Sequence, residues 1–327
     1  MTILEAADRS GTFVAHAYPE NTVDLGEVRM NYAVAGDPSL PALLLIPGQS
    51  ESWWGYERAM GLLAEHFHVH AVDLRGQGRS TWTPGRYALD LFGNDLVRFI
   101  DLVIGRETLV SGMSSGGVLS AWLSAYAKPG QVRAAVWEDP PLFASEVAPA
   151  VGPGIGEAIG PVFAAWNRWL GDQWSVGDWP GLLGAMPTEI PLPILVNLAA
   201  MIPPDPDHDP TTGPPQNLRE YDPEWGRAFV SGSASASCDH VTMLEQVRVP
   251  VLFTHHFRVV DEGTGRLVGA SSDDQARRAR EIVEGVGGRI DYRSFPAMPH
   301  SMHEHDPEQY LETVLDWLAT LDRKDTR

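Results

Sequence analysis

The 327 residues contain a single cysteine, Cys238, and a lone thiol excludes any disulfide within the chain. Such usage fits a reducing compartment, so the expected location is cytoplasmic and the thiol reads as a buried, inert side chain. Positive charge is also scarce, with 24 Lys and Arg against 43 Asp and Glu and a net charge of -19 at pH 7. Nucleic acid needs clusters of Lys and Arg for its phosphates, and an anionic membrane surface needs the same, so neither is an expected partner. No apolar run reaches the roughly 18 residues of a spanning helix. The first twenty residues carry neither the basic nor the apolar part of a secretory signal. Internal repeats are absent. What remains is a partner that is small and neutral or weakly apolar.

Histidine is plentiful but does not form a metal pattern. His66, His68 and His70 alternate along a strand-like run, His255 and His256 would point apart, and Asp205 to Asp209 lacks the glycine and closing Glu of a calcium loop. Neither a metal nor a cofactor is expected.

The composition is that of a globular enzyme, 43% hydrophobic and 20% charged. Thr22 to Leu25 and Val28 to Val34 read as two strands around a tight turn. Pro41 to Ile46 is a continuous apolar run, as in a strand buried on both faces of a parallel sheet. Met60 to Glu65 reads as a helix, Phe67 to Leu74 as a strand, Leu89 to Ile104 as an amphipathic helix and Val132 to Trp137 as a strand. Strands alternating with helices at this spacing predict a mostly parallel, doubly wound sheet. The rhythm stops at Pro140-Pro141. It resumes with a strand at Val249 to Thr254, a helix at Ser272 to Val286, a strand at Arg289 to Phe295 and a closing helix at Pro307 to Leu321. Three parts follow: residues 1–141 and 248–327 form the two halves of one core, and residues 142–247 form an insertion rich in Gly, Pro and Trp. A loop is expected at Pro203 to Pro215.

Within Ser111 to Gly117, the residues Gly112, Ser114 and Gly116 satisfy G-x-S-x-G between an apolar strand and the helix-like run from Val118 to Ala127. A sharp turn there lifts the Ser114 hydroxyl to the top of the sheet, and the next helix offers its backbone N–H groups to a developing anion. The alternative is a plain Gly/Ser-rich loop. The strand before and the helix after favour a nucleophile.

A serine nucleophile needs a base, and the base needs an orienting carboxylate. His300 is the first histidine after the last strand and is the expected base, with His303 and His305 as competitors. The acid has two claimants. Asp261 follows the Val251 strand late, inside a stretch to Gly265 that reads as a hairpin turn. Glu138 follows the apolar run Ala134 to Trp137, where a buried carboxylate needs a partner such as an imidazole N–H. Glu138 is favoured, Asp261 is the alternative, and Asp139 reads as a turn residue before the prolines. For the oxyanion, Ser115 N–H and Gln49 N–H are the expected donors.

Trp166, Trp169, Trp174, Trp179 and Trp225 fall in the insertion, and Trp53, Trp54 and Trp82 near strand ends, an aromatic supply that suits a large, flat, apolar ligand. Most of them should pack the core. The expected substrate contacts are Gly48, Ser50, Met113, Pro140, Trp166, Trp225 and His303.

On the elbow, the placed histidine and the insertion, the whole chain resembles the α/β-hydrolases. Met113 to Gly117 and the segment Ala134 to Pro141 are similar, more narrowly, to the zearalenone hydrolases, which open the macrocyclic lactone of a resorcylic mycotoxin. The resemblance implies an eight-stranded α/β-hydrolase fold, with the insertion after strand six as a helical lid over the elbow. It further implies an acid at Glu138, 24 residues past Ser114. The implied activity is a carboxylic ester hydrolase, a serine lactonase working through an acyl-enzyme in mycotoxin detoxification. A general carboxylesterase or a carbon–carbon bond hydrolase of the same fold stays open, as does a non-catalytic ligand receptor. Epoxide hydrolases of this fold use an Asp nucleophile, which Ser114 does not supply. The architecture also leaves room for a homodimer.

Overall fold

Along Ala42–Ile46 successive side chains feed two different cores. Leu43 and Leu45 join one apolar cluster, and Leu44 and Ile46 another. A strand covered on both faces is the signature of a parallel sheet between two helical layers. The computed structural model describes residues 14–144, 154–172, 175–202, 209, 211 and 213–322, and in it this strand lies inside an eight-stranded sheet. In spatial order the strands are Glu20–Asp24, Arg29–Ala35, His68–Val72, Ala42–Ile46, Thr108–Met113, Val132–Glu138, Val251–His255 and Ile290–Ser294. The first two pairings are antiparallel, and every pairing from His68–Val72 onward is parallel. The expected sheet is therefore present.

One core holds Phe92, Phe99, Trp122, Trp137 and Phe253, and the other holds Trp53, Tyr56, Met302 and Trp317. The amphipathic run from Leu89 forms a helix to Phe99 and one wider turn to Ile104, and Gly105 closes it at φ 66° by donating to Ile100 O.

Strands Val132–Glu138 and Val251–His255 are neighbours. The inserted segment between them thus leaves the sheet and returns to the same place. Among its described residues are helices Gly156–Trp169, Trp179–Glu189, Leu192–Met201, Gln216–Arg219, Glu224–Val230 and His240–Glu245. It has a core of its own, in which Ile155, Phe163, Ile190, Ile194 and Phe229 meet Val268 and Ala270. Trp174, most of the loop expected at Pro203 to Pro215, including Pro203, Pro204, Pro206 and Pro210, and most of the acidic run from Asp205 lie outside the described residues. Cys238 is buried, as expected. Among the described residues, no helix is long and apolar enough to cross a membrane.

Candidate active site

The turn at Ser114 is strained. Its φ of 55° and ψ of -123° join strand Thr108–Met113 to helix Ser115–Tyr126. A non-glycine residue in that region costs on the order of 1–3 kcal/mol and persists only where its surroundings hold it. Here Ser114 N–H donates to Glu138 O at 2.8 Å. The flanking glycines are required by space. A Cβ on Gly112 would stand 2.0 Å from Gly116 O, and one on Gly116 would stand 2.2 Å from Ile46 O. Ser50 and Asp139 also have positive φ, at 63° and 42°. All three bends follow the ends of strands adjacent in the sheet.

Two carboxylate–imidazole pairs sit at the tip of strand Val132–Glu138. His300 Nδ1 donates to Asp139 Oδ2 at 2.6 Å, and His303 Nδ1 donates to Glu138 Oε2 at 2.8 Å. The first pair corrects the expectation for the acid: Asp139, read from sequence as a turn residue, is the partner of His300. The bend at φ 42° turns its carboxylate across to the neighbouring strand, where Oδ1 accepts His256 N–H at 2.9 Å. Its own N–H donates to Thr254 O. Burial would raise the Asp139 carboxyl, but the hydrogen bond and charge of His300, with His256, hold it below the usual range. Burial would likewise lower His300, yet Asp139, then Glu51 and Glu138, raise it above an ordinary imidazole. With Nδ1 carrying the shared proton, Nε2 is the basic nitrogen, and it has no partner among the described residues.

Glu138 is placed differently. Its Oε1 accepts the backbone N–H groups of Met302 and His303, at 2.7 and 3.1 Å, while Oε2 takes the His303 ring. Glu138 therefore ties the histidine-bearing loop to the sheet. His303 is fully buried, stacked on Tyr56 with ring centroids 3.8 Å apart, and its Nε2 meets Ser301 Oγ at 3.3 Å. This leaves it no nitrogen for a substrate, so its expected contact role is not supported by its surroundings. The alternative acid, Asp261, spends its carboxylate on Thr264 N–H and Oγ1 in the turn between Arg258–Val260 and Leu267–Gly269, the hairpin that its sequence suggested.

Opposite the elbow, Gly48 packs so closely that an added Cβ would be 2.7 Å from Met113 Cε and 3.1 Å from Ser114 Cβ. Met113 is thereby a buried wall of the turn. Gln77 Nε2 donates to Gly48 O at 2.7 Å, and Gly48 N–H donates to Glu51 Oε2 at 3.3 Å. The N–H groups of Gln49 and Ser115 make no hydrogen bond among the described residues, so both are available to an anion beside Ser114. Ser114 Oγ has no hydrogen-bond partner there either, a common state before a substrate draws the groups together.

The inserted segment is stitched to this turn. Gln49 Nε2 donates to Tyr221 OH at 2.7 Å, Glu220 Oε2 faces Ser52 Oγ and Trp54 Nε1, and Asp222 N–H donates to Gly76 O. Trp166 stands edge-on to Tyr221 at 5.8 Å, one ring away from Gln49. Trp225 does not line an open site. It is 3% exposed and packs on Phe92, with centroids 4.5 Å apart. Pro140 is buried behind the elbow, next to the place where a Gly117 side chain would be.

A strained serine, a carboxylate-held imidazole with a free Nε2 and two unbonded backbone donors can together perform acyl transfer. Similarity to known proteins bears on the fold. Epoxide hydrolase 4 of Mus musculus is 30% identical over 104 residues, which cover 31% of this chain and 29% of that protein. The 1H-3-hydroxy-4-oxoquinoline 2,4-dioxygenase of Pseudomonas putida is 33% identical over 72 residues, covering 22% of this chain and 27% of that one. These matched stretches span about a third or less of the curated relatives. Among solved structures, a putative aryl esterase from Burkholderia cenocepacia superposes with a TM-score of 0.65 at 19% identity, covering 92% of this chain and 98% of that one. The enol-lactonase from Burkholderia xenovorans LB400 gives 0.59 at 16% identity, covering 91% and 100%. Residues 43–313, from strand Ala42–Ile46 into the first half of helix Pro307–Asp322, match the alpha/beta hydrolase family, and the chain belongs to it.

Proposed function

We propose that this protein is a serine hydrolase of carboxylic esters, with Ser114 as nucleophile, His300 as base and Asp139 as the orienting acid. The observation that carries the reading is the held bend at Ser114 between the two unbonded N–H groups of Gln49 and Ser115. His300 Nε2 takes the Ser114 proton as Oγ attacks the ester carbonyl. The tetrahedral oxyanion accepts from Gln49 and Ser115 N–H. His300 then gives the proton to the departing alkoxide as the acyl–oxygen bond breaks. Water attacks the acyl-enzyme after losing a proton to His300, and that proton returns to Ser114 when the acid leaves. Asp139 keeps the Nδ1 proton in place and stabilises the imidazolium in both halves.

The inserted segment serves as the lid in this reading, with the half-buried Trp166 as its substrate-side ring and the buried Tyr221 tying it to Gln49. Its aromatic content and the apolar surroundings favour a lactone of a flat, weakly polar molecule, in which the alcohol stays tethered to the acyl group after ring opening. Zearalenone is the first substrate to test, on the resemblance of the elbow and of the Ala134 to Pro141 segment. Multiple-turnover hydrolysis of zearalenone is measured beside a short p-nitrophenyl ester, with Ser114→Ala as control. Lactone opening that vanishes in the variant supports the full reading. Ester cleavage without lactone opening keeps the serine hydrolase and discards the macrolactone.

A further inference from the structure

Glu51 lies in the middle of this site without a part in the mechanism above. It is only partly exposed. Its Oε2 accepts Gly48 N–H, and its own N–H returns to Gly48 O, so residues 48–51 close on themselves. The point a Gly48 Cβ would occupy is 3.4 Å from that carboxylate oxygen and 3.1 Å from Ser114 Cβ. The carboxyl therefore holds the turn whose next N–H is that of Gln49, the oxyanion donor in the proposed mechanism.

We propose that Glu51 is a positioning residue that works as a neutral carboxyl, holding the Gly48–Gln49 turn, and that its ionisation weakens the oxyanion site. The proposal rests on Ser114 being the nucleophile. A negative charge hydrogen-bonded to one residue of the turn opposes a second negative charge forming on the next. The same charge would favour imidazolium at His300, but the two effects are unequal. Glu51 is in direct contact with the oxyanion turn, and it feels His303 more strongly than His300. His303 is already neutralised by Glu138. Ionisation also strengthens the Gly48 N–H bond; in this proposal the repulsion at the turn outweighs both effects.

The groups facing Glu51 are His303 and Glu304 from helix Met302–His305, His300 from the loop before it, Tyr56 from the turn Trp53–Tyr56, and Glu138 behind His303. Removal from water pushes the Glu51 carboxyl up to about 7, with Glu304 pushing the same way and His303 and His300 pulling against it. The group thus changes charge where the enzyme would work.

The test follows two rates from pH 5 to 9 in the native protein and in Glu51→Gln. One is covalent labelling of Ser114 by a fluorophosphonate, located by mass spectrometry. The other is kcat/KM for a p-nitrophenyl ester. The amide still accepts Gly48 N–H but cannot ionise. The native profile should be a bell with an alkaline limb near pH 7 and a fall of about tenfold, the factor that a modest like-charge repulsion produces. Glu51→Gln should rise to a plateau and exceed the native protein about tenfold at pH 8.5. A Glu51→Gln profile that keeps the alkaline limb, or that lies below the native one at pH 8.5, overturns the proposal. Glu51→Ser gives the same comparison if the Gln variant does not fold. If Ser114 is labelled and the profile does not move, only this proposal fails. If Ser114 is unlabelled at every pH, the nucleophile reading fails and takes this one with it.

Discussion

Asp139–His300 and Glu138–His303 are the same two functional groups, one residue apart on the same strand tip, and their surroundings give them different capacities. His303 is sealed between Tyr56 and Tyr310, both its nitrogens are engaged, and its carboxylate also fastens two backbone N–H groups. His300 keeps 8% of its surface exposed and one nitrogen unspent. A hydrogen-bond network that is fully satisfied rigidifies, whereas one left open at a single basic nitrogen can accept a proton. Saturation, rather than residue type, separates the two pairs.

Replacing Ser114 by Ala tests whether either pair serves a nucleophile, and the expected loss in kcat is the largest here, about a million-fold. Steady-state hydrolysis of a p-nitrophenyl ester measures it, and loss of less than about tenfold would mean that another group attacks. Next in size is the contrast between the acids. Asp139→Asn should lower kcat by about 10⁴, as removal of an orienting acid does, with a small change in melting temperature. Glu138→Gln should do the opposite, costing about 3 kcal/mol of stability by breaking a buried pair while lowering kcat about tenfold. Urea unfolding beside kinetics decides it, and a reversed pattern would return the orienting role to Glu138.

The stability difference should depend on pH. Glu138 is held below the ordinary carboxylate value of 4.5, so its contribution is present above 4.5 and fades as pH falls through its folded value. Burial would raise that carboxyl, but His303 and the backbone donors outweigh it. His303 is raised above 6.5, so its contribution is complete below 6.5 and fades as pH rises through its folded value. The gap between native and Glu138→Gln should be widest between 4.5 and 6.5 and should shrink as pH falls through the folded Glu138 value or rises through the folded His303 value. A gap that stays constant through both values would mean the pair is not ionic.

For the other pair the reading is kinetic. His300 must be neutral to act, and its raised value puts the acid limb of kcat/KM above pH 6.5. Asp139→Asn should move that limb down, a shift visible even in a slow variant. The smallest expected effect is that of Tyr221→Phe, which takes the acceptor from Gln49 Nε2. Losing one buried hydrogen bond of about 1 kcal/mol should raise KM about fivefold with little change in kcat. An unchanged KM would detach this contact from substrate binding.

Much of the scaffold was legible in the chain itself. Apolar runs such as Ala42–Ile46 announce strands covered on both faces, and G-x-S-x-G at Gly112 to Gly116 announces the elbow because a Cβ at either glycine would overlap backbone. The hairpin at Asp261 was legible from its turn chemistry. The tryptophans were less so: composition could not tell Trp225, packed on Phe92, from Trp166 beside Tyr221.

The partner of His300 was the point where the expected and the observed pairing differ: Glu138 was expected, and Asp139 stands there. A carboxylate at the end of a buried strand was correctly expected to find an imidazole, but two consecutive carboxylates and two histidines three residues apart allow two pairings. Sequence determined which groups meet at this strand tip, since local patterning fixes the strand end and the loop. Only the tertiary structure decided who pairs with whom. The deciding contacts, Thr254 O and His256 N–H on Asp139 and Met302 and His303 N–H on Glu138, come from strands and loops more than a hundred residues away.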